Sequence, residues 1–343
     1  MTGTDGKVGG INVQLYLWAK ELMEQGWEVY TFDIDKAHVT EGIHFLPQPR
    51  SAGLAGLTFW LSVRKILKQI RPSLVIIRGS KTHTNYEVAL LCRKFGIGCV
   101  YMGASDKDLD FSVSSFSDRI IKRLALGAIK IIPYVLAQNQ YQAARFKDMG
   151  KDKVAVIPNI WSKEISRGLL PDFPAGYYLW VANFRALKRP EWVVDIARMC
   201  PDSEFVMIGA PYEDGVYEKC EAAAASLPNL HFLGPKDFFT ADRWFDGARA
   251  VICTSEYEGF PNTFLQAWSR NIPVLSTVNP NGLIDSRSLG VICNTPEEFA
   301  DTIKHWESHP EASDTLRDSI EDYFAEAHSP QKAYHTLMNL VGL

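Results

Sequence analysis

The stretch Glu256–Trp268, which reads EYEGFPNTFLQAW, carries acids, a glycine, a proline and two amides directly after an apolar run. The apolar residues 250–255 predict a buried strand. The residues after Pro261 predict a helix with Asn262 as its N-cap. A helix N-terminus has partial positive charge and unpaired N–H donors, so this turn is predicted to bind an anion.

Three residues around this turn add hydrogen-bonding capacity. Gly259 allows a ligand to approach the backbone closely. Glu258 lies just outside the predicted helix, where its carboxylate can accept hydrogen bonds from hydroxyl groups. Gln266 lies about one turn beyond the cap, and its amide can reach back toward the same ligand. A ligand that combines phosphates with several hydroxyls fits this set, and a nucleotide sugar is therefore expected.

An alternation of apolar runs and helical patterns positions these residues. Strands are predicted at 27–34, 73–79, 98–103, 131–138, 177–183, 204–210, 230–234, 250–255, 272–277 and 290–294. Helices are predicted at 12–26, 55–70, 84–95, 116–129, 190–199, 214–226, 240–247, 262–270 and 330–341. The alternation predicts an α/β fold with two Rossmann-like domains, at 1–162 and 163–329. Because ligands of open parallel sheets lie at the carboxyl ends of the strands, the polar motifs are expected to line a cleft between the domains.

Several of these motifs together resemble one enzyme family. The stretch 256–268 and the apolar strand after it are similar to the E-x7-E signature of the retaining GT-B glycosyltransferases of family 4, also called group 1. The segment 182–192 (ANFRALKRPEW) resembles the phosphate-binding segment of that family, and 154–160 (VAVIPNI) resembles its V-x-V-I-P-N-G segment. Gly9-Gly10 resembles the glycine loop before the first helix. The resemblance implies a GT-B fold, with a C-terminal segment at 330–343 that crosses back to the first domain.

The resemblance also implies roles for individual residues. Arg185 and Lys188 would hold the donor diphosphate and stabilise the charge that builds on the leaving phosphate without a metal ion. Glu258 would contact hydroxyls of the donor sugar. Asp106 would assist removal of a proton from the acceptor and Ser105 would contact the acceptor, with an Asx-type turn or helix cap as the alternative. The other donor-binding residues would be Gly9, Gly10, Gly209, Gly259, Phe260, Pro261, Asn262, Thr263 and Gln266.

Three features depart from the family pattern. The family usually has a glutamate at the position of Gln266, where it binds the ribose diol, and an amide can still accept one hydrogen bond there. The segment 104–106 (ASD) replaces the catalytic histidine of many members and matches the polysaccharide-assembly subgroup. No apolar strand precedes Gly9, so the first strand of the domain is apparently missing. A start farther upstream, a truncation and a damaged domain remain open as explanations.

Composition limits the class of protein. The net charge of −4 divides into +7 for residues 1–162 and −11 for residues 163–343. The basic first half favours an anionic partner such as a lipid surface or a phosphorylated acceptor, with unevenly distributed solvated charge as the alternative. The absence of a stacking motif argues against nucleic acid. The amphipathic patterns at 59–71 and 118–130 allow peripheral contact with an anionic membrane, although buried helices with a solvated basic edge show the same pattern.

Cysteine spacing and two acidic motifs indicate the redox compartment and whether a metal is expected. The six cysteines form no C-x-x-C pair, which predicts buried thiols in a cytoplasmic protein. No cofactor and no metal ion are expected. Asp33-Ile-Asp35 resembles a D-x-D metal motif, but that motif belongs to a different glycosyltransferase fold. Residues 106–117 resemble the start of an EF-hand loop but lack its glycine and its final glutamate. The nucleotide sugar is a substrate, and the sequence does not identify its nucleobase.

The expected function is that of a retaining, metal-independent glycosyltransferase. It would move a sugar from a nucleotide-sugar donor to a hydroxyl of a glycan or lipid-linked acceptor, in surface polysaccharide biosynthesis. The alternative is a non-catalytic nucleotide-sugar-binding partner subunit or a truncated inactive transferase, favoured by the missing strand, by Gln266 and by the absence of the family's histidine. A sugar-nucleotide epimerase ranks last, because it would need acid and base carboxylates that no motif supplies.

Overall fold

The computed structural model describes residues 10–32, 42–46, 55–79, 83–103, 116–162, 173–258 and 260–343. The chain forms two compact units. The first combines Val8–Ile160 with Pro330–Leu343, and the second is Trp161–Ser329. Each unit is an α/β structure built on parallel strands, so the prediction of two Rossmann-like domains is confirmed.

In the described residues of the first unit, the strands form two parallel sheets. Its strands are β1 (Val29–Thr31), β2 (Ile43–Phe45), β3 (Leu74–Arg78), β4 (Gly98–Met102), β5 (Tyr134–Ala137) and β6 (Val154–Val156). β1 pairs with β2, and the other four strands form a sheet in the order β3-β4-β5-β6. The first helices are α1 (Gly10–Glu24), α2 (Ala55–Ile70), α3 (His83–Phe95), α4 (Phe116–Ile131) and α5 (Gln140–Asp148).

The second unit contains one six-stranded parallel sheet. Its strands are β7 (Tyr177–Val181), β8 (Phe205–Ile208), β9 (Leu230–Gly234), β10 (Ala248–Cys253), β11 (Val274–Ser276) and β12 (Gly290–Ile292), in the order β12-β11-β10-β7-β8-β9. Its helices are α6 (Pro190–Met199), α7 (Val216–Ala224), α8 (Phe238–Arg243), α9 (Asn262–Trp268), α10 (Leu283–Ser286), α11 (Pro296–Ser308) and α12 (Pro310–Ala327). The last helix, α13 (Pro330–Val341), belongs to the first unit, where Trp27 donates to the Tyr334 hydroxyl (3.2 Å).

The sheet of the second unit is buried on both faces. Tyr178, Leu179, Val206 and Val251 are each no more than 1 % exposed. Parallel strands covered by helices on both faces read as continuous apolar runs, which is why the sequence located them well. β7 and β10 lie side by side at the centre of the sheet, so the loops that follow them meet at its carboxyl edge.

Some elements differ from the sequence-based expectation. The strand predicted at 131–138 begins at Tyr134, because α4 continues through Ile131 and ends before Pro133, which disfavours helix in the residue preceding it. The sequence analysis missed β2, β6, α5, α10, α11 and α12. The start of α11 carries a recognisable signal: Thr295 caps the helix by accepting from the Glu298 N–H (3.3 Å), and Pro296 occupies its first turn.

Two expectations about side-chain chemistry can be compared with the described residues. All six cysteines are free and buried, as predicted. Burial raises the pKa of the Cys200, Cys220 and Cys293 thiols to about 11. Within the described ranges, no three His, Cys, Asp or Glu side chains cluster as a metal site would require, and no helix is long and apolar enough to cross a membrane.

Candidate functional site

The candidate site lies where the two central strands of the second unit end. β10 pairs with β7 in parallel, with Val251 opposite Leu179, so both strands end at the same edge of the sheet. The loop 182–189 follows β7, and the loop 254–258 follows β10. A backbone hydrogen bond from Glu256 N to Leu187 O (2.9 Å) joins the two loops.

A cation and a carboxylate meet between these loops. The Lys188 ammonium donates to the Glu258 carboxylate, and the two side chains are 19 % and 21 % exposed. The Ser255 hydroxyl also donates to Glu258 Oε1 (3.0 Å). The structure therefore brings together two of the residues predicted to contact the donor, although they are 70 positions apart in the sequence.

Buried hydrogen bonds beneath this pair hold the Lys188 backbone in place. The Thr254 hydroxyl donates to the Lys188 carbonyl (2.6 Å), and the Trp180 indole donates in turn to the Thr254 hydroxyl (3.2 Å). Trp180 and Thr254 are both buried, so this chain of hydrogen bonds is shielded from water. The loop that carries Lys188 is thus preorganised from the core side.

Arg185 lies at the start of the same loop, ahead of a short 3-10 helix at Ala186–Lys188. Its guanidinium carbon lies 3.4 Å from the centre of the Tyr212 ring. The loop that carries Tyr212 is tied to the Arg185 loop, because Ala186 N donates to the Glu213 carboxylate (2.8 Å) and Phe184 pairs with Pro211. Stacking on an aromatic face restricts the guanidinium without using its outward donors.

Gly209, predicted to contact the donor, has a clear packing role. A Cβ atom at this position would lie 1.8 Å from the Ala182 carbonyl oxygen. No side chain fits such a gap without movement of the backbone. The close approach of the segments after β7 and β8 therefore requires glycine at this position.

The helix that follows the Glu258 loop begins differently from the prediction. The N-cap position is Pro261, with extended backbone angles, and Asn262 is the first residue of α9. The prediction of Asn262 as N-cap is thus wrong, because Pro261 adopts the extended conformation that precedes a helix. Phe260 packs its ring toward Trp268 and His328, with ring centres 6.1 and 5.7 Å apart, so its side chain anchors the turn. Pro261 is buried, and Thr263 is half-buried on the first turn.

Gln266 is buried within a polar network. Its amide nitrogen donates to Asp242 Oδ1 (2.8 Å), and Arg270 donates to Asp242 Oδ2 (2.8 Å). Arg270 also pairs with Asp246. Burial alone would lower the pKa of Arg270, but the two carboxylates reverse this effect and raise it. The network fixes the Gln266 amide by contacts within the second unit.

The structure brings Arg185, Lys188 and Glu258 to the loops at one sheet edge and places Gln266 among the buried residues of α9. Sequence reasoning missed Ser255, Tyr212 and Asp242, which hold those residues. The loop containing Tyr212 has the composition of a turn, but nothing local marks Asp242. Gly10 begins α1 in the first unit. Gly9, Ser105, Asp106 and Gly259, like the metal candidates Asp33 and Asp35, lie outside the described residues.

Two family models match the chain. The model described as "Glycosyl transferases group 1" matches residues 176–308, and the model described as "Glycosyltransferase Family 4" matches residues 8–160. The matched segments lie within the two structural units, one in each. No curated protein matches the chain in sequence.

Solved structures resemble the chain in fold. HepE from Anabaena, determined in complex with UDP, is 14 % identical with a TM-score of 0.72, and the alignment covers 98 % of both chains. Sucrose-phosphate synthase from Thermosynechococcus elongatus is also 14 % identical with a TM-score of 0.72, over 97 % of this chain and 93 % of that one. A UDP-GlcNAc 2-epimerase from Neisseria meningitidis is 12 % identical with a TM-score of 0.66, over 96 % and 97 %.

Proposed function

The chain belongs to the group 1 glycosyl transferases of family 4, and on that premise we propose that it is a retaining, metal-independent glycosyltransferase. It moves a sugar from a nucleotide-sugar donor to a hydroxyl of a glycan or lipid-linked acceptor in surface polysaccharide biosynthesis. The donor binds at the carboxyl edge of the six-stranded sheet. The observation that supports this most is the contact between Lys188 and Glu258 at the ends of β7 and β10.

In the proposed reaction, the bond between the anomeric carbon and the phosphate oxygen breaks. The acceptor oxygen forms its bond to that carbon on the same face, and the acceptor proton passes to the departing phosphate. The nucleoside diphosphate leaves with added negative charge. The Lys188 ammonium stabilises this charge as a compact positive charge, and the planar Arg185 guanidinium can donate two hydrogen bonds to phosphate oxygens. The proposed reaction therefore requires no metal ion.

Glu258 has two partners in this proposal. In the structure it accepts from Lys188 and from Ser255. When the donor binds, the diphosphate takes Lys188, and the carboxylate then accepts from hydroxyls of the sugar. The exchange keeps both charged groups paired before and after binding, which limits the desolvation cost of the bound state.

A panel of nucleotide sugars tests donor binding. UDP is the first nucleotide to examine, because the structure of HepE contains it. UDP-, GDP- and ADP-sugars are each added to the purified chain, with and without EDTA, and the unfolding temperature is measured. A rise with one donor that persists in EDTA is expected. If no donor raises the unfolding temperature of the folded chain, the proposal is wrong.

Turnover then separates the transferase from the alternatives. Release of nucleoside diphosphate from the bound donor, with retention of the anomeric configuration in the product followed by NMR, is expected. Arg185→Ala is expected to reduce this turnover by about 100-fold or more. The matched control is Arg198→Ala, because Arg198 lies on α6 and pairs with Asp195 at the surface. Binding without turnover would indicate a non-catalytic subunit, and conversion of the donor to its epimer would indicate an epimerase.

The proposal includes peripheral contact between the first unit and an anionic membrane. Leu61 on α2 is 50 % exposed, and Lys65 and Lys68 lie on the same helical face, one turn and two turns farther. Ile120 on α4 is 48 % exposed and lies one turn before the exposed Arg123. Apolar side chains beside lysine and arginine are the pattern of helices that bind anionic lipid surfaces.

Vesicle flotation tests this contact. The chain is expected to float with vesicles of phosphatidylcholine and phosphatidylglycerol but not with phosphatidylcholine alone. Leu61→Glu together with Ile120→Glu should abolish flotation and leave nucleotide-sugar binding unchanged, because neither residue belongs to the donor site. Equal flotation of this variant and the wild type would exclude these helices as the contact surface.

A further inference from the structure

The Gln266 amide is held in one orientation by a buried carboxylate. Asp242 is fully buried, Gln266 is 5 % exposed, and the Gln266 nitrogen donates to Asp242 Oδ1 (2.8 Å). An ionised carboxylate only accepts hydrogen bonds, so it selects the nitrogen end of the amide. The oxygen end, Oε1, is thereby directed away from Asp242. Among the described residues, no group donates a hydrogen bond to Oε1.

Asp242 forms an ion pair with Arg270. Arg270 donates to Asp242 Oδ2 (2.8 Å) and reaches Oδ1 at 3.5 Å, while its Nε contacts Asp246 on the other side. The Arg270 guanidinium thus bridges the two carboxylates. The group that accepts from the Gln266 nitrogen is the Asp242 carboxylate.

We propose that Asp242 is a positioning residue for the nucleotide: it fixes the Gln266 amide so that Oε1 accepts a hydrogen bond from a ribose hydroxyl of the donor. This inference rests on the proposed function, since it concerns the same donor site. It also explains why residue 266 is an amide here. A glutamate would bring a second carboxylate within about 3 Å of Asp242, and two carboxylates at that distance repel each other.

The test compares how strongly the chain prefers a ribose. Dissociation constants are measured by calorimetry for UDP, GDP and ADP, and the tightest is compared with its 2′,3′-dideoxy form. The wild type is expected to bind the ribose form about tenfold more tightly, the value of one well-placed hydrogen bond. Gln266→Glu should reduce this ratio to about two or less, with little change in the constant for the dideoxy form. Adding Asp242→Asn should restore the ratio, because an amide then donates to the carboxylate at 266.

Asp246→Asn is the matched control. Like Asp242→Asn, this change removes one of the two carboxylates that pair with Arg270. The Asp246 carboxylate, however, contacts Arg270 on the side away from Asp242. Combined with Gln266→Glu, it should leave the ratio low. If Gln266→Glu does not fold, folding itself is compared between the two double variants. Adding Asp242→Asn to Gln266→Glu should rescue both the folded state and the ratio of dissociation constants, and adding Asp246→Asn should rescue neither.

The outcomes separate this inference from the proposed function. If the wild type binds none of the three nucleotides, the proposed function fails. If it binds one of them, three results would overturn the role of Asp242. These are an unchanged ratio in Gln266→Glu, equal rescue by both asparagine variants, and no rescue by Asp242→Asn.

Discussion

Replacing Lys188 by methionine should separate stability from catalysis. The Lys188–Glu258 pair has both side chains about one-fifth exposed, so water still screens their attraction. Pairs near the surface contribute about 0–1 kcal/mol to folding. Methionine preserves most of the aliphatic stem, and Glu258 retains the hydrogen bond from Ser255. The free energy of unfolding should therefore fall by about 1 kcal/mol or less.

The effect on turnover should be much larger. If Lys188 contacts the diphosphate, it stabilises charge that develops only as the anomeric bond breaks. Loss of one such preorganised group reduces turnover by about 100- to 1000-fold, or about 3–4 kcal/mol. The activation free energy should thus change by at least about 2 kcal/mol more than the free energy of unfolding.

Two measurements decide this prediction. Urea unfolding gives the change in stability, and release of nucleoside diphosphate from the saturating donor gives the change in turnover. Arg189→Met is the control, because Arg189 is the next cation on the loop and instead pairs with Glu256 (3.8 Å) and stacks on Trp192. Turnover of Lys188→Met within about threefold of the wild type, or an equal loss in Arg189→Met, would refute the assignment.

Three further predictions concern the same edge of the sheet. Glu258→Gln should bind the nucleotide sugar more weakly by calorimetry but the nucleoside diphosphate as tightly as the wild type or more so, because Lys188 no longer has an anionic competitor. Tyr212→Ala should raise the KM for the donor severalfold, since stacking on Arg185 contributes about 0.5–2 kcal/mol, whereas Tyr212→Phe should keep the wild-type KM. Gly209→Ala should lower the unfolding temperature strongly in a thermal melt, because its Cβ would overlap the backbone; an unchanged melt would contradict that geometry.

The strands and the charged loops could be predicted because their signals are local. β10 is a continuous apolar run, and Glu258 follows it within a few residues. The rule that ligands lie at the carboxyl ends of parallel strands then relates Glu258 to the Lys188 loop, although nothing in the sequence places the two strands side by side. The contact between Lys188 and Glu258 depends on that strand order, which the structure supplies.

The elements that were missed did not all lack signals. In the 18-residue helix α12, Leu316, Ile320 and Phe324 recur four residues apart among many charged residues, which is a helical pattern that the sequence analysis overlooked. The N-cap of α9 was misplaced by one residue because asparagine is the commoner cap, whereas Pro261 caps this helix through its backbone angles alone.

The departure at Gln266 shows why a position should be interpreted together with its contacts. Considered alone, the change from the usual glutamate to glutamine removes a negative charge, which suggests a weakened site. In the folded chain, a fully buried carboxylate, Asp242, lies 2.8 Å from that amide. These residues are 24 positions apart on α8 and α9, so only packing brings them together. Because the charge is retained beside the amide, and because it orients the amide oxygen as an acceptor, Gln266 by itself does not favour the inactive alternative.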